Sequence, residues 1–387
     1  MAKPDRVLSI LQFARLINRN DFIDTIIRWG DRRRFKMMAC TLSPDSNIEP
    51  LDYRGHFPEF SLGVTGRLGY PNAILRLAHL IRTYQVDILH AHHFEEALIG
   101  AAAVRLAGRC QMVVGRHYHD EIYLLTRGVK RAALLRAEAL VNREARKVIV
   151  PSGVIRQLML EHQKVAADKV AVIPYGFDFA VEKYRHPAPE AGLSLRREFG
   201  LGDGLLVGNF GRHHVLKGQA YLLQAFARFL ATCPTATLLM VGDGPNHESL
   251  KHLAGQLGLL NPGRAVFTGW RKDAWRMLEG VDAVIHPTLH EALPQLMVEA
   301  MSKARPLAIT DVSGACDHVR HLDNAFLLKK RDQESILDAL RWMHRHHQSA
   351  QDMGARARRY VMSELPVQKI IPQFEALYEE VAWRSAA

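Results

Sequence analysis

The strongest constraint on the fold is a regular alternation of short apolar runs with helical segments along most of the chain. Runs such as 7–11, 86–92 and 147–152 have the length of strands, and amphipathic helical patterns lie between them. Parallel strands need long crossover connections, which are usually helices, so this alternation predicts a parallel β-sheet wrapped by helices. The fold class is therefore expected to be α/β.

The alternation stops once and then restarts, which predicts two domains. Residues 177–203 contain prolines and several charges and have the composition of a linker. A chain of 387 residues is also too long for one ordinary hydrophobic core. We expect a first Rossmann-like domain over residues 1–185, a second over 186–365, and a C-terminal helix over 366–387 that packs back on the first. The two doubly wound domains are expected to face each other across a cleft.

Glycine-rich and polar segments follow several predicted strands. Four of them, 116–117, 211–212, 242–244 and 290–291, come directly after or close behind an apolar run. Ligands of open parallel sheets bind outside the carboxyl ends of the strands. We therefore predict the ligand site at these strand ends.

The segment 290–301 combines a helix start with two carboxylates. It follows the apolar run 283–285, and Pro294 is expected at the first helical position, where proline has no N–H to lose. The free N–H groups and the helix dipole at such a start favour an anion, and phosphate suits them best. Glu291 is then expected in the loop ahead of the helix and Glu299 inside it. Two solvated glutamates on a surface helix are the alternative.

The segment 208–218 places Arg212 and Lys217 five residues apart after a glycine turn. Glycine permits close approach of the backbone, and two cations at this spacing are suited to flank a diphosphate. A Walker A loop is excluded, because Lys217 is not followed by Ser or Thr. A turn with two exposed basic side chains is the alternative.

Charge and cysteine content limit the partners and the compartment. The formal net charge is +11, and residues 1–190 hold 28 Lys and Arg against 20 Asp and Glu, which is +8 of that total. A basic half indicates an anionic partner such as an acidic lipid surface, a phosphorylated acceptor or nucleic acid. The four scattered cysteines argue against a disulfide framework or a structural zinc, and no apolar run approaches the length of a membrane span. We expect a cytoplasmic protein.

An ordered set of motifs resembles that of the retaining glycosyltransferases of family 4, which have the GT-B fold. The motifs are Gly211-Arg212 with Lys217-Gly218, VGDGP at 241–245, FTG at 267–269, and Glu291 with Glu299-Ala300-Met301. The resemblance covers residues 145–330, and it is looser in the first half, where it rests on 87–92 and 149–152. It implies transfer of a sugar from a nucleoside diphosphate with retained anomeric configuration.

The resemblance also implies roles for residues of this chain. Arg212 and Lys217 would bind the donor diphosphate and stabilise the leaving nucleotide. Glu299 would hold the ribose hydroxyls, and Glu291 would contact the transferred sugar. The other donor-binding positions would be Gly211, Gly242, Gly269, Leu293, Gln295 and Leu296. No cofactor and no metal is expected, because fixed cations can stabilise the leaving group and the sequence shows no Asp-x-Asp cluster.

Histidines follow two predicted strands of the first half. The resemblance implies a histidine near the donor sugar, for which His117 is preferred and His119 is the alternative. A structural histidine that caps the following helix remains open for either. His90, His92 and His93 lie at the other strand end, where contact with the acceptor is favoured over a metal site.

The first strand departs from the family pattern. Family members commonly carry a glycine pair after this strand, whose backbone supports the donor phosphate, but residues 12–15 read QFAR. Either Arg15 or another loop replaces the glycines, or the donor contacts of this half differ.

The segment 121–146 is predicted to be a long basic amphipathic helix. Such a helix can lie on an anionic membrane surface. Packing of its apolar face on the sheet is the alternative.

The sequence therefore predicts a cytoplasmic hexosyltransferase that moves a sugar from a nucleoside-diphosphate sugar to a cell-envelope glycan or a lipid-linked acceptor. Peripheral association with the inner face of the membrane is a second prediction. The alternatives are a nucleotide-sugar epimerase of the same fold and a basic protein that binds or modifies nucleic acid. No aromatic stacking pattern accompanies the basic residues, so a nucleic-acid partner is not expected.

Overall fold

The computed structural model describes residues 6–15, 21–44, 57–117, 126–188, 190–261 and 263–383. The chain forms two compact units, one of Met1–Phe177 with Val367–Ala387 and the other of Asp178–Pro366. Each unit holds one sheet in which all the paired strands run parallel. The predicted class, two α/β domains with parallel sheets, is confirmed.

The first unit is built on a seven-stranded sheet. Its strands are β1 (Leu8–Ala14), β2 (Phe35–Thr41), β3 (Glu59–Ser61), β4 (Ile88–His92), β5 (Gln111–Gly115), β6 (Lys147–Val150) and β7 (Val170–Val172). Its helices are α1 (Asp21–Trp29), α2 (Tyr70–Thr83), α3 (Phe94–Ala107), α4 (Gly128–Glu144) and α5 (Gly153–Glu161), with the last helix of the chain. The strand order is β3-β2-β1-β4-β5-β6-β7. The central strand β4 is buried at every residue, as expected for a parallel sheet covered on both faces.

The second unit is built on a six-stranded sheet. Its strands are β8 (Leu206–Phe210), β9 (Thr237–Val241), β10 (Ala265–Gly269), β11 (Ala283–His286), β12 (Leu307–Thr310) and β13 (Phe326–Leu328). Its helices are α6 (Ala191–Phe199), α7 (Gln219–Phe229), α8 (His247–Gln256), α9 (Ala274–Gly280), α10 (Gln295–Ser302), α11 (Ser313–Cys316), α12 (Gln333–Arg345) and α13 (His347–Glu364). The strand order is β10-β9-β8-β11-β12-β13. Phe226 and Phe229 of α7 pack in its core with Leu337 and Leu340 of α12.

The boundary between the units differs from the predicted one. It falls after Phe177, not after residue 185, because the intervening segment packs on the second unit. A 3-10 turn at Glu182–Tyr184 buries the Tyr184 side chain, and Lys303 Nζ lies 3.5 Å from the carbonyl oxygen of Arg185. The predicted linker also contains helix α6, whose Leu195 is buried. Prolines and charges alone did not distinguish a linker from a short surface helix.

The last helix, α14 (Val367–Trp383), belongs to the first unit. The backbone N–H of Val367 donates to the carbonyl of Phe177 at 3.0 Å, which joins the two chain segments that form this unit. Arg34 forms ion pairs with Glu375 and Glu379 of this helix. The helix begins one residue later than predicted, after Pro366.

Helix α4 begins later and packs differently than predicted. The first residues of the predicted helix, 121–125, lie outside the described part of the chain, and the described helix starts at Gly128. Its buried residues are Glu138, Val141 and Asn142, whereas Leu140 is 57% exposed. The buried face is therefore mostly polar, because Glu138 pairs there with a buried arginine. Among the described helices, none has the length and apolar content needed to cross a membrane.

Candidate active site

Three glycines lie at the carboxyl ends of three neighbouring strands in the second unit. Gly211, Gly242 and Gly269 follow or close β8, β9 and β10, and their φ angles are +128°, +137° and +70°. The N–H of Gly211 donates to Val241 O and that of Gly242 donates to Gly269 O, each at 2.9 Å. A Cβ at Gly242 would collide with the carbonyl of Gly211. The close approach of these turns therefore requires glycine, and it leaves backbone atoms at the sheet edge.

The loop after β8 is anchored by the residue next to Arg212. The His213 ring is buried, and its Nδ1 lies 2.9 Å from Nδ1 of His247, with the two rings stacked. Burial lowers the pKa of His213 to about 4, so this ring adds no charge at neutral pH. The carbonyl of Arg212 accepts a hydrogen bond from Gln219 Nε2 at 3.1 Å. The backbone of Arg212 is thus fixed, and its side chain is exposed.

Lys217 is positioned by the contact of two loops. It closes the 3-10 turn Val215–Lys217, and the following Gly218 has φ +66° and packs directly on the carbonyl of Pro287. The N–H of Leu289 donates to Leu216 O at 2.7 Å. These contacts join the loop after β8 to the loop after β11, so the lysine reaches the glutamate of the second loop.

Glu291 is held from both sides. Its Oε1 accepts a hydrogen bond from Lys217 Nζ, and its Oε2 lies 2.6 Å from Nε2 of His286, the last residue of β11. Burial alone would raise the pKa of this carboxyl. The charges and hydrogen bonds of His286 and Lys217 outweigh burial and lower the pKa to about 2. Glu291 is therefore an oriented carboxylate at neutral pH.

Helix α10 begins beside this carboxylate. The structure makes Pro294 the N-cap residue, with φ −67° and ψ 111°, and starts the helix at Gln295, one residue later than predicted. An extended ψ still lets proline precede the helix without the loss of a hydrogen bond. Leu293 is buried, and Leu296 is half-buried, as is Gln295. Glu299 lies in the second turn of the helix and is half-buried, so the placement of both glutamates agrees with the prediction.

These residues share one edge of the second sheet. Strands β8 and β11 are neighbours, with Ala283 opposite Val207, so the loops that carry Arg212, Lys217 and Glu291 adjoin. Sequence reasoning placed the loops at this edge but missed His286. The available signal was its position as the last residue of a strand that ends at the site.

In the first unit, His117 is part of a buried hydrogen-bonded chain. Its Nε2 lies 2.9 Å from Nδ1 of His92, and its Nδ1 lies 3.0 Å from the hydroxyl of Tyr175. The Phe22 ring packs against it at 4.2 Å. Burial holds the pKa of His117 well below 6.5. Both ring nitrogens of His117 are therefore hydrogen-bonded inside the unit, whereas the prediction needs a side chain that is free to contact a sugar. The alternative residue, His119, lies outside the described residues.

The chain continues to the last helix. His92 Nε2 donates to Gln12 Oε1 at 2.8 Å, because an amide oxygen can only accept. Gln12 Nε2 donates to the hydroxyl of Tyr378 at 3.0 Å, and that hydroxyl then donates to His90 Nδ1 at 2.7 Å. These imidazole rings pack over Gly115, where a Cβ would collide with the rings of His117 and His92 and would lie 3.0 Å from that of His90. Sequence reasoning missed Gln12 and Tyr378, since no local pattern signals a contact between residues so far apart in the chain.

Two arginines near the predicted site of the first unit are used by internal ion pairs. Arg116 is buried and lies 2.5 Å from Glu138 of α4, so it is not presented at the sheet edge as predicted. Arg15 lies 2.5 Å from Glu95 and 3.7 Å from Glu96 at the start of α3. The Glu95 carboxylate holds the charge of Arg15, which argues against Arg15 as the substitute for the glycine pair.

No group of three His, Cys, Asp or Glu side chains within the described ranges is arranged to hold a metal ion. His90 and His92 instead form the hydrogen bonds given above. Metal independence itself remains a prediction.

Comparisons with known proteins agree with the motifs. A family model described as Glycosyltransferase Family 4 matches residues 22–181, and one described as Glycosyl transferases group 1 matches residues 204–346. UDP-Gal:alpha-D-GlcNAc-diphosphoundecaprenol alpha-1,3-galactosyltransferase of Escherichia coli is 25% identical over 271 residues, 69% of each chain. N-acetyl-alpha-D-glucosaminyl L-malate synthase of Bacillus anthracis is 24% identical over 317 residues, 79% of this chain and 78% of that enzyme.

A solved structure shows the same fold. HepE of Anabaena in complex with UDP has a TM-score of 0.81 and 23% identity, and the match covers 96% of this chain and 100% of that chain. The family models cover most of both units, and the ordered motifs lie at the strand ends where the fold binds ligands. The chain therefore belongs to the GT-B glycosyltransferases of family 4.

Proposed function

We propose that the chain is a retaining, metal-independent hexosyltransferase whose second unit holds a nucleoside-diphosphate sugar. Glycosyl transfer from a nucleotide sugar follows from the family, whereas the anomeric outcome, the sugar type and the residue roles are part of the proposal. The observation that carries these roles is the contact of Lys217 with Glu291 beside the start of α10.

The diphosphate is proposed to bind between Arg212, Lys217 and the first turn of α10. Arg212 is exposed, and its guanidinium has no hydrogen bond or ion pair among the described residues. The Lys217 side chain is 23% exposed and is held by Glu291. Diphosphate oxygens form strong charge-assisted hydrogen bonds with such cations, and the free N–H groups of Gln295 and Leu296 at the helix start add a favourable dipole.

The two glutamates are assigned to the two ends of the donor. Glu299 lies in the second turn of α10, where it is suited to accept hydrogen bonds from ribose hydroxyls. Glu291 lies in the loop ahead of the helix and is proposed to contact the hydroxyls of the transferred sugar. The glycine turns at Gly211, Gly242 and Gly269 let the donor approach the backbone.

Stabilisation of the leaving group is proposed as the main contribution to catalysis. The bond from the anomeric carbon to the diphosphate oxygen breaks, the acceptor oxygen bonds to the same face of the sugar, and the proton of the acceptor hydroxyl passes to the departing diphosphate oxygen. Negative charge grows on the departing diphosphate, where Arg212 and Lys217 neutralise it without a metal. No pair of carboxylates has to straddle the glycosidic bond as in hydrolases.

The acceptor is proposed to be a cell-envelope glycan or a lipid-linked sugar. The name of the E. coli relative specifies a lipid-linked acceptor, and that of the B. anthracis relative specifies malate. Helix α4 supports the lipid-linked acceptor. Its Val129 is 88% exposed, and Lys130, Arg136 and Arg143 are exposed on the same helix. Apolar and basic side chains together favour an anionic lipid surface.

Donor binding and transfer test the proposal directly. A thermal-shift series with UDP, GDP and ADP should raise the Tm with one of them, because a ligand that binds only the folded state stabilises it. The matching nucleotide sugars should then give a product whose anomeric configuration, read by proton NMR, equals that of the donor. The rate should be unchanged by EDTA. Inverted product or loss of activity with EDTA would contradict the mechanism.

Vesicle flotation tests the membrane part of the proposal, which places the protein in the cytoplasm at the inner face of the membrane. The protein should float with vesicles that contain anionic lipid at low salt, and Leu140→Asp should weaken this. Leu193→Asp is a matched control, since Leu193 is 56% exposed on α6. Absence of flotation, or an equal loss with both variants, would contradict the lipid contact of α4.

A further inference from the structure

The carboxylate of Glu291 has two partners of different character. Lys217 contacts Oε1 from a loop, and its side chain is 23% exposed. His286 contacts Oε2 from the end of β11, and its side chain is 3% exposed. His286 is also fixed by the sheet, because its backbone pairs in register with Ile309 of β12. One partner therefore lies on a loop and is partly exposed, and the other is part of the sheet.

Donor binding brings a second anion to the ammonium group of Lys217. A diphosphate carries more negative charge than one carboxylate, so it competes with Glu291 for the ammonium of Lys217. When Lys217 turns to the diphosphate, Oε1 of Glu291 is left with an open acceptor position. The side chain of Glu291 is only 20% exposed, and a carboxylate in this setting needs a second partner to remain charged and in place.

We propose that His286 is a positioning residue, which holds Glu291 through Oε2 while Lys217 serves the diphosphate and Oε1 accepts a hydroxyl of the donor sugar. This inference rests on the proposed function of Glu291. The imidazole does not touch the donor in this arrangement. It acts through the carboxylate, and the carboxylate has one oxygen for the protein and one for the sugar.

A double-mutant cycle in transfer kinetics tests the role. His286→Leu keeps the volume of the side chain but removes the Nε2 donor, so kcat should fall about 10–100-fold, by analogy with the loss found when the hydrogen-bond partner of a metal-ligating residue is removed. KM for the donor should change less, because the diphosphate contacts remain. His286→Gln, which can place an amide nitrogen near Oε2, should recover most of the loss.

The coupling between the His286 and Glu291 substitutions distinguishes a role of His286 through Glu291 from a general structural role. In a Glu291→Gln background, His286→Leu should cost less than a further twofold, since the carboxylate is already absent. Equal losses in both backgrounds would overturn the proposal. His318→Leu is the control for loss of a buried imidazole, because His318 is also buried, with its Nδ1 3.1 Å from the hydroxyl of Tyr360.

A second readout separates failure of this inference from failure of the proposed function. If wild-type protein transfers no sugar from any nucleotide donor, the proposed function fails. The four proteins of the cycle are the wild type, His286→Leu, Glu291→Gln and the double variant, and their Tm values still report the contact. Direct pairing predicts that the Tm shifts of the two single variants are not additive in the double variant. Additive Tm shifts would overturn the pairing whatever the activity.

Discussion

At the scale of single residues, Lys217 and Glu299 carry the sharpest expectations. Lys217→Met and Glu299→Ala should each lower kcat/KM by at least about 10²-fold, as expected for loss of one group that stabilises developing charge or places the donor. Steady-state kinetics with the matching nucleotide sugar measure this. Lys330→Met is the control for removal of an exposed lysine from the same unit, and wild-type activity in either test variant would refute the roles.

Gly242 and Gly258 give a matched test of the glycine turn. Both have positive φ angles, +137° and +68°, but a Cβ at Gly242 would collide with the carbonyl of Gly211, whereas a Cβ at Gly258 meets nothing within 4 Å. Gly258→Ala should cost only about 1 kcal/mol of backbone strain. Gly242→Ala should cost several times more and abolish the Tm increase by nucleotide. Urea unfolding compares them, and equal losses would show that the close approach is unimportant.

At the scale of elements, the Tyr378 hydroxyl of helix α14 forms hydrogen bonds with strands β1 and β4 of the first unit. Tyr378→Phe removes the hydrogen-bond partner of both Gln12 and His90, which are fully buried. Unsatisfied buried polar groups cost about 1–3 kcal/mol, so the free energy of unfolding should fall by that order. Tyr84→Phe at the end of α2 is the control and should be neutral within about 0.5 kcal/mol. A neutral Tyr378→Phe in urea unfolding would show that water replaces the lost contacts.

The elements also show why sequence reasoning reached the strand ends and not the contacts there. Apolar runs mark strands locally, and the rule for parallel sheets then puts Arg212 and Glu291 at one edge without any knowledge of side chains. The pairing of Arg116 with Glu138 depends on which face of α4 is buried. An apolar face packed on the sheet was one of the two alternatives for this helix, but the buried ion pair makes its fully buried residues mostly polar. Such pairings are set by tertiary packing, which local spacing does not contain.

At the scale of the whole molecule, both units bury neutral histidines, and this makes stability depend on pH. Burial lowers the pKa of His90 to about 3 and those of His93 and His213 to about 4. It also holds the pKa of His92 and of His117 well below the ordinary 6.5. Below pH 6.5 the unfolded chain therefore binds protons that the folded chain does not. The free energy of unfolding therefore decreases as the pH decreases, by up to about 1.4 kcal/mol per pH unit for each ring.

Two carboxyl groups modify this trend in opposite ways, and neither reverses it. Burial raises the pKa of Glu96 to about 7, so between pH 7 and 4.5 the folded state keeps a proton that the unfolded state loses, which offsets one histidine. The pKa of Glu291 is about 2, so its stabilising contribution is lost only below pH 4.5. Urea unfolding at pH 7.5, 6 and 5 should thus show a steady loss of stability, since these five rings, with His318 as a sixth whose pKa burial also lowers, oppose one carboxyl. Constant stability across this range would mean that the buried rings open to solvent before the chain unfolds.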